Sequence, residues 1–371
     1  MTYFQRPCLT ISTMLCMLSN SAAAATTNPM IFTGYADVSY NYLVRNNHFV
    51  NGYYNRLNDN AENGVSLQQA AATLGYIPDQ GWGGLVNAVI GRDAILLAPF
   101  GFNPRVFNLQ NIGLFIPQAF LQYQYKRTTF IIGEMQSLAG YEQIDYTLNT
   151  IFSNSLLYSF AEPGVHLGVR ADHMVNDQLS VSLGANNGWD TIQGPSRLNT
   201  FEFGTAYRLP ERLTLNLILY LGETYLADQL SSGPRSERQY INFYATYFFN
   251  SKLSASVNAD YGVQHKATLP NGVIAQATWQ GIAGYVDYKI KEKWIASVRA
   301  EIFNDSDGFR TNVRQQLREI TLSLAYLPIK NWQIRGGTRH DVSNVNSFIS
   351  KNSRSTNPNQ QSYAVDVLYQ F

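Results

Sequence analysis

The chain has 371 residues, and 27 basic against 26 acidic side chains leave a formal net charge of +1. That balance supplies no field to draw nucleic acid or a strongly charged partner. Charged residues are 14%, against roughly 25% in a soluble domain, and no run of 18 apolar residues occurs, which argues against a helical membrane protein.

The first 25 residues read as an export signal. Met1 to Pro7 carries one basic residue, Arg6. Cys8 to Leu18 is apolar, and Ser19 to Ala25 ends in alanines that suit a small-residue cleavage site. The apolar stretch is too short to anchor in a bilayer. Cys16 follows Met14 and Leu15, where a lipid-modification site wants small residues. Both cysteines, Cys8 and Cys16, lie in this segment, so cleavage would leave a chain without thiol or disulfide chemistry. Residues 26–371 then form one domain.

From Thr33 onward one texture repeats. An alternating strand ends in Tyr, a short polar turn follows, then a second alternating strand, then a longer loop rich in Asn, Ser, Gly and Arg. Leu213, Leu215, Leu217, Leu219 and Leu221 share one strand face. Leu253, Ala255, Val257, Ala259 and Tyr261 share another, with Ser254, Ser256, Asn258 and Asp260 opposite. Trp294, Ala296, Val298, Ala300 and Ile302 repeat the pattern, with Arg299 and Glu301 opposite. Period two with one apolar and one polar face describes a strand between two solvents. A basic side chain on a lipid face near mid-membrane costs about 2–4 kcal/mol, so the polar faces are placed inside.

Short connections fall at 79–81, 126–128, 176–177, 211–212, 250–252, 291–293 and 330–331. Tyr76, Tyr125, Tyr207, Tyr247, Tyr288 and Tyr326 precede them, and Trp82, Trp294 and Trp332 follow them. Aromatics fixed beside the turns mark a membrane interface. Long connections fall at 46–63, 94–115, 143–164, 192–197, 225–237, 267–276, 304–316 and 343–360. Seven short and eight long connections in strict alternation predict an all-β fold: a transmembrane antiparallel up-and-down barrel of about 16 strands, within 14–18, with periplasmic turns and extracellular loops. A barrel of that size leaves an aqueous channel.

The last strand places Tyr363, Val365, Val367, Tyr369 and Phe371 on one face and stops there. This resembles the terminal signal read by barrel-assembly machinery, which captures a free strand by edge pairing. The opening Gly34-Tyr35-Ala36-Asp37-Val38-Ser39-Tyr40, the hairpin from Gly64 to Gly91, Glu162-Pro163-Gly164-Val165 and Asn187-Gly188-Trp189 resemble the OmpL-like β-barrel porin family. The resemblance implies a porin of the Gram-negative outer membrane, made with periplasmic chaperones and the assembly machinery and bathed in outer-membrane lipid. Analogy with porins adds a homo-oligomer. The third loop lacks the PEFGG-type tip of general porins.

The interior candidates are Arg170, Asp172, Glu202, Asp260, Asp287, Arg299, Glu301, Arg335, Arg339 and Asp366. Charged rings set ion preference in pores, though cross-strand pairing that merely braces the wall is the commoner role. Arg335 and Arg339 share a parity, as do Arg299 and Glu301, and would set up a transverse field. The third loop, Gln143 to Gly164, is the segment expected to fold inward, with Asp145, Tyr146 and Phe152 as its candidate constriction residues. Its apolar groups would be poorly placed in open water.

No phosphate loop, nucleophile elbow, paired-Cys or HExxH pattern occurs. His48, His166, His173, His265 and His340 are scattered, and no cofactor or metal is expected. Asn304 to Gly308 resembles part of a calcium loop but reads more simply as an Asp/Gly turn. The leading expectation is a passive diffusion channel and not an enzyme. A non-conducting barrel that binds or adheres through its loops is the alternative, and a hydrolase assembled from loop residues is a third.

Overall fold

The computed structural model describes residues 29–44, 56, 63–99, 103–105, 112–192, 198–225, 234–349 and 356–371. The predicted export signal lies outside the described residues. The strands are β1 (Met30–Leu43), β2 (Gly64–Tyr76), β3 (Gly81–Gly91), β4 (Gly113–Tyr125), β5 (Thr128–Gln136) and β6 (Val165–Met174). They continue with β7 (Leu179–Asn186), β8 (Thr200–Leu209), β9 (Leu213–Tyr225), β10 (Arg235–Phe248), β11 (Leu253–Thr268) and β12 (Ile274–Lys291). The remainder are β13 (Trp294–Asp305), β14 (Gln315–Tyr326), β15 (Trp332–Ser343), the two-residue pair β16 (Phe348–Ile349) and β17 (Thr356–Asn357), and β18 (Asn359–Gln370). One short helix, α1 (Asp93–Leu97), follows β3.

Sixteen of these strands, β1 to β15 and β18, form one closed barrel in which each pairs antiparallel with its chain neighbour. Closure abolishes the sheet edge that hydrocarbon could not satisfy. β1 meets β18 from Tyr35↔Gln370 to Leu43↔Ser362. The backbones of Gly34 and Phe371 exchange both hydrogen bonds, at 3.1 and 2.9 Å. A Cβ on Gly34 would sit 2.3 Å from the Phe371 ring. A side chain there would therefore push the terminal aromatic off the seam.

Burial alternates as the sequence pattern requires. On β11 every second residue from Ser254 to Asp260 is buried, while the intervening residues face outward. The girdle is present: Trp82 packs on Tyr123 at 5.0 Å, Trp294 on Tyr326 at 4.5 Å and Trp332 on Tyr369 at 4.9 Å. Each pair joins adjacent strands at the short-turn end. Three of those turns place a non-glycine residue in the left-handed region, Lys126 (φ 53°), Glu211 (φ 59°) and Asn331 (φ 73°). That backbone suits tight turns between right-twisted strands.

The long connections differ from their predicted bounds. The expected loop 267–276 contracts, because Thr268 pairs with Ile274 and only 269–273 turn over, with Gly272 at φ +79°. The third loop instead starts earlier than Gln143, since β5 ends at Gln136. The apolar Leu138 and Ala139 read as strand, but Gly140 (φ +96°) breaks the pleat, and Leu138 packs into the interior.

Candidate functional site

The third loop, residues 137–164, folds into the barrel. It carries a 3₁₀ turn at Tyr146–Leu148 and a π-type turn at Leu157–Ala161. Ile144, Tyr146, Phe152, Leu156, Leu157 and Phe160 are all buried. Burying these groups against the wall removes the apolar surface that open water would penalise.

Most polar anchors come from the wall. Arg299 on β13 is fully buried and donates to Glu319 at 3.0 Å, to Glu142 of the loop at 2.7 Å and to the Ser153 carbonyl at 2.5 Å. Glu301, one inward position along, accepts the Leu156 N–H at 2.8 Å and the Leu157 N–H at 3.3 Å. Arg335 on β15 forks to Asp366 (2.7 Å) and Asp37 (3.0 Å) and reaches the loop carbonyls of Tyr146 (3.1 Å) and Asn149 (2.8 Å). Arg339 holds Asp341 at 2.8 Å and the Asn154 carbonyl at 2.6 Å. Fixed guanidinium forks suit this work, since one planar group can bind a carboxylate and two carbonyls together.

Further contacts surround the loop. Tyr220 accepts the Leu138 N–H at 3.0 Å, Asn242 the Gly140 N–H at 3.1 Å, and Asn258 donates to Glu162 at 2.6 Å. Trp279 donates its indole N–H to the Ala161 carbonyl at 3.1 Å, and Tyr285 its hydroxyl to Glu142 at 3.2 Å. On the far side Tyr146 donates to Asp93 of α1 at 2.6 Å. Burial, and then the nearby Asp93 carboxylate, push the Tyr146 hydroxyl above its ordinary range and keep it a donor. Burial, then the Asp260 carboxylate, push Glu162 up as well, so its neutral form is favoured.

All ten predicted wall residues face inward, and nine of them are buried, Asp172 being half-buried. They do not form open rings. Arg170 pairs with Glu202 at 2.5 Å, Asp172 accepts from Ser182 at 2.5 Å and Asp287 from Ser297 at 2.5 Å. Asp260 accepts from Asn242 at 2.8 Å and from the Tyr240 hydroxyl. Nor do Arg335 and Arg339 face an acidic wall across open water. Their carboxylates sit beside them, on the same strand, on the next or, for Asp37 of β1, on the next but one, and the loop covers them. Of the candidate constriction residues, Asp145 accepts the Thr147 N–H at 2.8 Å and caps the turn, while Phe152 packs edge-on against Tyr146 at 6.1 Å.

Several anchors escaped the sequence reading: Asp37, Glu142, Glu319 and Asp341, and Arg56, which binds Asp341 at 2.5 Å and Ser362 at 3.0 Å. Asp341 was findable because it shares strand parity with Arg335 and Arg339, and Glu319 because it falls opposite the apolar face of Ile320, Leu322 and Leu324 on β14. The Asp/Gly turn reading holds at 305–308. Asp305 accepts the N–H groups of Phe309, Arg310 and Thr311 at 3.0, 3.0 and 2.7 Å, and Asp307 accepts that of Thr278 at 2.8 Å. Among the described residues no group of His, Cys, Asp or Glu is set to hold a metal ion. A cavity of about 240 Å³ remains beside the loop, lined by Tyr158, Glu162, Trp189, Asp190, Arg238 and Arg310 among others. There Arg238 lies over Trp189 at 4.7 Å and Trp279 at 5.5 Å.

A closed sixteen-stranded barrel with an aromatic girdle, an apolar outer wall and a polar interior crossed by a loop defines a transmembrane channel of the outer membrane. Over residues 29–371 the chain matches the family described as "Putative beta-barrel porin-2, OmpL-like", and it belongs to that family. It is a porin, a channel for passive diffusion. No curated protein matches the chain. Among solved structures it is similar to the outer membrane channel DcaP of Acinetobacter baumannii, with 12% identity over 92% of this chain and 97% of that one and a TM-score of 0.63. It is also similar to an anion-selective porin from Comamonas acidovorans (11% identity, 92% and 99% covered, TM-score 0.64) and to Salmonella typhi OmpF in complex with daunomycin (13%, 93% and 98%, 0.61).

Proposed function

We propose that this porin is a narrow channel for small polar solutes and ions, with the third loop as its constriction and no catalytic role. The observation that carries the reading is the set of wall-to-loop bonds from Arg299, Glu301, Arg335 and Arg339. They fix the loop within the barrel, so the free cross-section is what the loop leaves. The chain is exported to the outer membrane of a Gram-negative cell by its N-terminal signal and assembled through its last strand. Alternation of Tyr363, Val365, Val367 and Tyr369 on the lipid face of β18 supports that assembly role. The same filling of the interior favours a second reading, a barrel too occluded to conduct that acts through its outer loops.

Single-channel recording of the refolded chain in symmetric potassium chloride separates the two. The porin reading expects small, steady steps. A barrel that inserts and shifts with heat on a gel yet passes no current would leave the loop-acting reading. A salt gradient in the same cell probes the wall charges. Changing Arg335 and Arg339 together to Gln leaves Asp37, Asp341 and Asp366 without those cations. The reversal potential should move toward cation preference, and an unmoved potential would show that neither arginine senses the permeating ion.

A further inference from the structure

The cavity of about 240 Å³ beside the third loop has two unlike sides. It spans the lumen. One side is lined from α1, which follows β3, and the other from β10, seven places round the ring from β3. Arg299, Arg335 and Arg339, which anchor the loop, lie outside it. The β10 side is cationic. Arg238 is buried there, and its guanidinium lies over Trp189 at 4.7 Å, Trp279 at 5.5 Å and Phe309 at 5.4 Å. Arg310, from the β13–β14 connection, lies over the same two indoles at 5.4 and 5.3 Å. Each aromatic face steadies a cation, while the two cations repel one another.

Gln264 accepts Nε and Nη2 of Arg238 at 2.9 and 2.6 Å, and the Phe160 carbonyl accepts Nε of Arg310. These acceptors are neutral, so they orient the two forks without cancelling charge. Trp189 adds a third donor. Its indole N–H is buried and has no hydrogen-bond partner among the described residues. Such a donor costs free energy until an acceptor arrives. The acids along the cavity are engaged elsewhere. Glu142 holds Arg299 at 2.7 Å, Asp190 accepts the Gly164 and Val165 N–H groups at 2.7 and 3.0 Å, and Glu162 accepts from Asn258 at 2.6 Å. The α1 side is apolar: Leu97 and Ala98 pack there on the buried cluster of Ala94, Phe115, Ile144 and Val165.

We propose that this cavity binds a small organic carboxylate at the mouth of the channel, with its carboxylate among Arg238, Arg310 and the Trp189 N–H and its apolar body toward Leu97 and Ala98. This rests on the porin reading, and it names the class of solute that the mouth gathers. A carboxylate between the two guanidiniums offsets their repulsion and gives the indole its acceptor. The cavity is smaller than the roughly 300 Å³ at which pockets for drug-sized ligands begin, so the body it takes is small, on the order of a single ring.

Calorimetric titration of the refolded chain in detergent with sodium benzoate tests this, with uncharged benzamide as the matched control. Benzoate should bind saturably and benzamide should not. Arg238→Gln should weaken benzoate about tenfold, as loss of a hydrogen bond to a charged group does. Trp189→Phe keeps a ring and removes the N–H, and should weaken it severalfold. Heat-shifted mobility on a gel shows that each variant is folded, and Trp189→Phe carries the test if Arg238→Gln does not fold. No saturable benzoate heat, equal binding of benzamide, or unchanged affinity in the folded variants overturns the proposal. Binding is read without current, so the two readings fail separately. A barrel that conducts but takes no benzoate keeps the porin reading and loses this site. One that binds benzoate through Arg238 and Trp189 yet passes no current keeps the site and loses the porin reading.

Discussion

Replacing Arg299 with Met destabilises the folded barrel by roughly 3–5 kcal/mol, as removing one partner of a buried ion network does. Arg299 is fully buried beside three carboxylates, with Glu142 at 2.7 Å, Glu319 at 3.0 Å and Glu301 at 3.7 Å. Met keeps the apolar stem but leaves those carboxylates without their shared cation, and Arg339, 3.8 Å from Glu319, is the cation that remains beside them. The Ser153 and Asn154 carbonyls lose a donor as well. Guanidinium unfolding in detergent micelles measures the loss. A companion variant that also changes Glu142 and Glu319 to Gln should recover much of it, because removing two of the three carboxylates leaves fewer charges buried and unpaired. An Arg299→Met barrel as stable as the parent would show that water reaches this network.

The second large effect concerns flow. Replacing residues 145–160 by a short Gly-Ser linker removes Tyr146, Phe152, Leu156, Leu157 and Phe160 from the interior. A sixteen-stranded barrel without them has an open aqueous lumen, and conductance should rise on the order of severalfold. Permeation of larger sugars into proteoliposomes should rise with it. The wall survives the deletion because its carboxylates and arginines largely pair with one another, as Arg335 does with Asp366 at 2.7 Å and Arg170 with Glu202 at 2.5 Å. An unchanged conductance would place the constriction elsewhere, for instance at the apolar inner cluster of Leu85, Phe120, Ile131 and Met135.

The barrel was legible because it is local. Period two, a turn and an aromatic recur within each hairpin, and every strand repeats the same two-solvent problem. The wall charges were legible for the same reason: parity alone puts Arg299, Glu301 and Asp366 inside. What parity could not show is what those charges hold. Arg299 and Glu142 are joined across 157 positions, and Arg335 and Tyr146 across 189. No local pattern encodes such a contact, so the sequence offers cross-strand bracing as the commoner role of the wall charges but not the loop that Arg299, Glu301, Arg335 and Arg339 also hold. The loop's apolar residues did carry a usable signal, since Ile144, Phe152 and Leu157 needed a cover and the interior provided it. Its start was misread because Leu138 and Ala139 look like strand until Gly140 breaks it.

The channel's free cross-section depends on the loop lying against the wall. Leu157 Cγ is 3.3 Å from where a Cβ on Gly281 would sit, close enough for a disulfide between the loop and β12. The most direct measurement is single-channel conductance of Leu157→Cys with Gly281→Cys, before and after oxidation. The bond should form in the folded barrel and leave the conductance unchanged, because the loop is already there. A bond that fails to form, or a current that changes when it closes, would mean that the loop ordinarily lies elsewhere.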